Sequence, residues 1–211
     1  MPINRFSAFV YKISDWIMKL VLVNILWILL SLFGLLIFGF FPATIAMFSV
    51  IRSLSKKEEI SIFKKFLYVY KQEFLNSNLM GSIIILVTII FYLDIRFVQE
   101  INNEIFQLLY YPLVILNLIF YLIVLYIFPT YVQYDSKIIQ LFKNAFLIMI
   151  MNPLITIVML SSSVVLLFAI VFFPAIILFF SGSIFALFIM SAATTAFEKV
   201  EQKKVEFHSR S

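Results

Sequence analysis

The chain has 211 residues, of which 64% are hydrophobic and only 13% charged, and its mean hydropathy is +1.08. Soluble domains of this size carry about twice that charge, so the composition excludes a water-soluble enzyme and points to an all-α, polytopic transmembrane bundle with lipid as its outer solvent. The net charge of +5 does not signal nucleic acid, because the 16 Lys and Arg stand in short segments between long uncharged runs, the pattern of positive-inside topology.

Residues 1–19 read as an interfacial amphipathic helix, with Phe6, Phe9, Val10, Ile13, Trp16 and Ile17 at helical spacing and Arg5, Lys12, Ser14, Asp15 and Lys19 mainly on the other side. The apolar run that follows is too long for a signal-peptide core and reads as a retained span. Between Lys19 and Arg52 lie 32 uncharged residues, about 48 Å as helix. That is too long for one span of a roughly 30 Å core and too short for two with a turn. Pro42 is expected to close a first span over 20–41, with a helical continuation reaching the charged stretch Arg52 to Glu59.

Residues 52–73 form a basic loop containing a second amphipathic helix, with Phe63, Phe66, Leu67, Tyr70 and Phe74 on one face and Lys64, Lys65, Lys71 and Glu73 on the other. This helix is expected on the cytoplasmic leaflet. Further spans follow at 74–93 and 107–128, the latter with Pro112 in its first turns and Pro129 at its end. No charge occurs from Asn144 to Phe197, so this stretch must hold two spans, 145–171 and 174–197, parted at Phe172-Phe173-Pro174. A tail, 198–211, completes a five-span model of one integral membrane domain.

Counting basic residues on alternating sides places twelve on one side and four (Arg5, Lys12, Lys19 and Arg96) on the other. The expectation is a multi-pass protein of the bacterial plasma membrane, N-terminus outside and C-terminus inside. A sixth span or a half-span near Pro42 would reverse the N-terminal side. Phe41-Pro42 before Phe63-Lys64, and Phe128-Pro129 before Phe142-Lys143, hint at duplication, although short motifs recur by coincidence in a Phe-rich chain.

No catalytic, metal or cofactor constellation emerges, and the protein is read as no enzyme. There is no cysteine, and the single histidine, His208, lies in the charged tail, where a metal site would need three or four ligands. Ser161-Ser162-Ser163 has no nearby base. Asn24, Asn117 and Asn152 are polar residues within spans. Asn117 and Asn152 could line a solute path, with Asn152-Pro153 breaking a helix as in transporters, while the structural reading is interhelical hydrogen bonding. Asp94 and Arg96 either pair or mark an interface. Ser181-Gly182-Ser183, Ala186 and Ser191-Ala192-Ala193 give a small-residue stripe suited to close helix packing.

Two stretches together resemble a known family. The first is Asn24-Ile25-Leu26-Trp27 with Phe38-Gly39-Phe40-Phe41-Pro42-Ala43-Thr44-Ile45-Ala46-Met47-Phe48, ending at Arg52. The second is Ile62-Phe63-Lys64-Lys65-Phe66 with Tyr70-Lys71-Gln72-Glu73-Phe74 and Ser77-Asn78-Leu79-Met80-Gly81. They resemble the YesL family, small membrane proteins of Gram-positive bacteria in the domain-of-unknown-function class. Asn24, Trp27, Phe41, Pro42, Ala43, Thr44, Arg52, Phe63, Lys64, Phe66, Phe74 and Gly81 mark membership and not a site. The resemblance implies a setting beside carbohydrate ABC importers, with ABC permease subunits as partners alongside the lipid bilayer, and implies no activity. Two functions follow: an accessory or regulatory component of carbohydrate import, or a small-solute transporter or permease subunit in its own right.

Overall fold

The computed structural model describes residues 5–100, 108–134, 136–173 and 175–210. Among them the chain is helical: α1 (Arg5–Phe33), α2 (Ile37–Ser55), α3 (Ile62–Gln72), α4 (Phe74–Glu100), α5 (Tyr110–Gln133), α6 (Ile138–Met151), α7 (Pro153–Phe172) and α8 (Ala175–Arg210). Six of these, all but α3 and α6, contain segments long and apolar enough to cross a membrane. The protein is thus a polytopic helical bundle. The chain divides into two compact units, one of residues 1–74 and 161–191, the other of residues 75–160 and 192–211.

In the first unit the expected boundaries move. No break falls between residues 19 and 20, because α1 runs from Arg5 to Phe33, 29 residues in one piece, and the expected span 20–41 is instead interrupted between α1 and α2. Nor does Pro42 end a helix: it lies inside α2. Proline at the sixth position removes one ladder bond near the start of a helix, a modest loss there. The break falls instead at Gly34-Leu35-Leu36, where α1 closes with two capping bonds, Leu36 N–H to Ser31 O (2.9 Å) and Leu35 N–H to Leu32 O (3.0 Å). These are the paired bonds of a Schellman motif, with Leu35 left-handed at φ 57°. Leu36 is also at positive φ (61°, ψ −57°), the centre of a γ-turn closed by Ile37 N–H to Leu35 O (2.7 Å), and such conformations cost a non-glycine residue about 1–3 kcal/mol.

The turn can be this tight because glycines face each other across it. A Cβ on Gly39 would stand 2.5 Å from Ser31 O and 2.8 Å from Gly34 Cα, closer than any side chain tolerates. Packed against α1, α2 is buried from Phe41 through Phe48 without interruption, the all-round burial of a central helix. α2 then ends in a second Schellman motif, with Lys57 N–H to Leu54 O (3.0 Å), Glu58 N–H to Ser53 O (3.1 Å) and Lys57 left-handed at φ 57°.

In the second unit, α4 extends seven residues past the expected 93, and α5 runs on to Gln133, with Pro129 inside it rather than at its end. The expected start at Gln107 lies outside the described residues. The expected span 145–171 is two helices, because Asn152, ahead of Pro153, is held at φ −132°, ψ 62°, away from the helical region. Pro153 then opens α7, a position that suits proline. α7 ends at Phe172, where the sequence places a break, and Pro174 itself is outside the described residues. Each unit contains a long helix with an internal proline, α2 or α5, on which a short helix, α3 or α6, packs back.

Gly39→Ala tests the hairpin. Overpacking of a backbone contact costs about 1–3 kcal/mol, so the unfolding midpoint in detergent should fall clearly. An unchanged midpoint would mean that the α1–α2 approach is looser than described.

Candidate functional site

Three polar constellations interrupt the apolar packing, two in the first unit and one in the second. Asn24 and Trp27 share a face of α1 one turn apart. Asn24 is completely buried, and its Oδ1 accepts hydrogen bonds from two α8 amides, Gly182 N–H (2.9 Å) and Ser183 N–H (3.1 Å). Trp27 Nε1–H donates to Thr44 Oγ1 (3.1 Å), and Thr44 Oγ1–H donates to Phe40 O on its own helix (2.7 Å). The Trp27 ring meets Phe40 edge-on at 5.8 Å. Gly182 makes this crossing close: a Cβ there would lie 3.0 Å from the Trp27 ring and 3.2 Å from Met47 Sδ, so those side chains would have to give by a few tenths of an ångström. Gly182 and Ser183 of the small-residue stripe therefore meet α1, and Gly182 also meets α2.

The second constellation joins α3 to the hairpin. Ile62 and Phe66 are buried, and α3 packs on α2, so its apolar side seats on protein where the sequence suggests lipid. Lys65 Nζ donates to Ser53 Oγ and lies 3.6 Å from the Glu58 carboxylate. A hydrogen bond from Ser53 and the charges of Lys65 and Lys56 hold the Glu58 carboxyl below the ordinary glutamate range, against a smaller opposing effect of desolvation. At the other end of α3, Tyr70 O–H donates to Leu30 O (3.2 Å), and burial pushes its phenol above the usual tyrosine value. Phe74 stacks edge-on with Tyr70 at 5.8 Å. This clasp leaves Phe63, Lys64, Tyr68 and Lys71 exposed.

Beside the clasp, at the charged end of the hairpin, lies a cavity of about 600 Å³. Trp16 and Lys19 of α1 line one wall, and Leu54 with the turn 57–61 lines the other. Lys19 is paired with Asp15 at 2.7 Å.

The third constellation gathers at Asn152. Its Nδ2–H donates to Ile148 O (3.0 Å), and Thr156 Oγ1 lies within hydrogen-bond distance of both Asn152 O (3.0 Å) and Met149 O (3.3 Å). Tyr126 Oη, from α5, is 3.0 Å from Thr156 Oγ1. The carbonyls freed by the Pro153 break are thus taken up by side chains of the same unit. Asn117, half-buried, lies about 14 Å along the α5 axis from Tyr126 and does not join this cluster.

Of the other expected positions, Phe41, Pro42, Ala43 and Gly81 are buried and Arg52 is half-buried in the last turn of α2. Arg96 lies over the Tyr92 ring at 5.9 Å rather than against Asp94, because side chains two apart on a helix do not face each other. The side chain of His208 lies outside those described. Among the described residues no group of three or more His, Asp or Glu side chains could hold a metal ion. Thr156, Tyr126, Lys57 and Glu59 escaped the sequence reading. Only Thr156 carried a signal, its spacing of four from the Asn-Pro break.

The structure defines a multi-pass helical membrane protein in which the buried side chains of Asn24, Thr44, Asn152 and Thr156 bind backbone. The family model described as "Protein of unknown function, DUF624" matches residues 20–95, the segment holding the hairpin and the clasp. Three proteins of Bacillus subtilis (strain 168) are similar over nearly the whole length. Uncharacterized protein YesL is 33% identical, covering 90% of each chain. Uncharacterized protein YteU is 31% identical over 90% of this chain and 86% of its own, and uncharacterized protein YesV is 30% identical over 90% and 92%. The chain belongs to this DUF624, or YesL, family. No solved structure matches it.

Asn24→Leu keeps the bulk of the side chain and removes its acceptor. Leaving buried amides without it should cost about 1–3 kcal/mol, read as a lower unfolding midpoint in detergent, and Asn24→Asp should retain more stability than the leucine variant. Equal stability of the leucine variant and the parent would show that these bonds contribute nothing net.

Proposed function

We propose that this protein is a non-enzymatic accessory component of the bacterial cell membrane that docks on a carbohydrate ABC importer through the exposed side of α3. The observation that carries this reading is the clasp. An amphipathic helix free to lie on lipid would spend its apolar side there, whereas α3 spends it on α2, and Lys65 and Tyr70 anchor both its ends to the hairpin. Its remaining side offers Phe63 and Tyr68, aromatic side chains of the kind enriched at protein interfaces, with Lys64 and Lys71 beside them as charges that would steer an acidic partner surface. The importer is drawn from the genomic setting that the family resemblance implies.

The engagement of Asn24, Asn152 and Thr156 with backbone groups favours a structural role for the buried polar residues over a solute path. The hairpin also revises the orientation. With α1 and α2 returning the chain to its starting side, Arg5, Lys12 and Lys19 join the other basic segments, so that fifteen of the sixteen Lys and Arg fall on one side and Arg96 alone on the other. By the positive-inside rule both termini and the start of α3, where Lys65 meets Ser53, are cytoplasmic, and only the N-terminal side changes from the five-span reading.

Affinity purification of the tagged protein from its native cell in mild detergent, grown on several sugars, tests this. Carbohydrate ABC permease subunits should co-purify stoichiometrically, and at least ten-fold less should be recovered with Lys64→Gln, Tyr68→Ala and Lys71→Gln combined, at unchanged unfolding midpoint. Recovery of the protein without permease subunits would reject the accessory role and favour transport, to be measured as flux lost on Asn152→Leu.

A further inference from the structure

The cavity at the open end of the hairpin has a depth and a charge pattern that together point to a ligand class. Its depth follows from the hairpin. Lys19 and Arg52 bound the 32-residue uncharged run that α1 and α2 fold in two. Lys19 lines the cavity from one helix while Leu54 and Lys57 line it from the end of the other. The cavity therefore sits where the chain leaves the hydrocarbon, and Trp16 on its wall is a residue type that concentrates at that level.

Its charges are partly committed. Lys19 is paired with Asp15, and Glu58 with Lys65. Lys57 and Glu59 also line the cavity, and among the described residues neither has an ion pair. One ammonium and one carboxylate thus remain at the rim of a cavity large enough for a small ligand. Lys57 moreover occupies the left-handed position of the α2 cap, φ 57°, where glycine would be free of strain.

We propose that this cavity binds the headgroup of a zwitterionic phospholipid bearing a primary amine, with Lys57 on the phosphate, Glu59 on the ammonium, and Trp16 against the glycerol region. A phosphate accepts charge-assisted hydrogen bonds from lysine, and a primary ammonium donates them to a carboxylate. A quaternary ammonium has no proton to donate, and an anionic glycerol headgroup has no cation for Glu59.

Native mass spectrometry of the full chain, released from micelles containing equimolar phosphatidylethanolamine, phosphatidylcholine and phosphatidylglycerol, tests the assignment. The wild-type protein should retain one phosphatidylethanolamine with at least ten-fold preference over each of the others. Lys57→Gly relieves the strained backbone, so its unfolding midpoint should be equal or higher while its phosphatidylethanolamine retention falls at least ten-fold. Glu59→Gln should erase the preference for phosphatidylethanolamine over phosphatidylglycerol. Soluble phosphoethanolamine should displace the lipid, and inorganic phosphate at the same concentration should not. Retention without headgroup preference, retention unchanged in both variants, or displacement by inorganic phosphate alone would each overturn the proposal, the last by assigning a free-phosphate site.

Discussion

The contact on which the first unit depends is the approach of two glycine backbones across the α1–α2 turn. With Gly34 and Gly39 in register and no side chain between them, the chain reverses within three residues. The reversal sets Trp27 opposite Thr44 and exposes the polar edge of Asn24 to α8. It also brings Leu30 and Ser53, far apart in sequence, within reach of the single short helix α3. Had the chain continued straight through residues 20–41, Trp27 could not meet Thr44, and α3 could not reach Leu30 and Ser53 together. The left-handed residues Leu35 and Lys57 are the conformational cost of ending two helices abruptly, and each is offset by the paired capping bonds it permits.

A chain this apolar gains little from burying one hydrophobic surface on another in lipid, so specificity rests on close packing and on the few polar contacts. Each such bond contributes only about 0.6 kcal/mol on average in a membrane, yet a polar group left unmatched costs more than that. This asymmetry explains why side chain after side chain addresses backbone. Asn24 takes two amides of α8, Asn152 and Thr156 cover the carbonyls at the Pro153 break, and Tyr70 reaches Leu30 O. The pattern recurs in the two units, each built on a proline-containing helix with a shorter helix folded back on it. The Phe-Pro and Phe-Lys pairs seen in the sequence fall on these corresponding elements.

The helical class and the membrane setting were legible in the sequence because they depend on composition and run length, which no tertiary contact can override. The break between α7 and α8 was legible for the same reason, since 54 uncharged residues cannot form one span. The hairpin was not. Thirty-two residues fit neither one span nor two, and proline is the stronger local signal for a break, yet Pro42 falls early enough in α2 to be tolerated and Gly34 and Gly39 decide the turn. Asn24 was visible as a buried polar residue, but its partners stand about 160 residues away in a helix that showed only small side chains. The α3 periodicity was visible, yet periodicity cannot tell a lipid surface from a neighbouring helix, and Phe66 and Lys65 turned toward α2. The cavity residues Lys57 and Glu59 carried no spacing signal, because a helix cap and a turn bring them to Trp16.

The proposed orientation of the N-terminus rests on the hairpin, and the proposed role of α3 rests on that orientation. The chain has no cysteine, so single cysteines can be placed at Lys12, Lys57 and Lys199 and probed with a membrane-impermeant maleimide, first in intact cells and then in inverted vesicles. All three should be protected in intact cells and labelled in inverted vesicles, with Arg96→Cys showing the reverse. Labelling of Lys12→Cys from outside, with Lys57→Cys still protected there, would mean that a single crossing separates them and that the α1–α2 hairpin does not return the chain to its starting side.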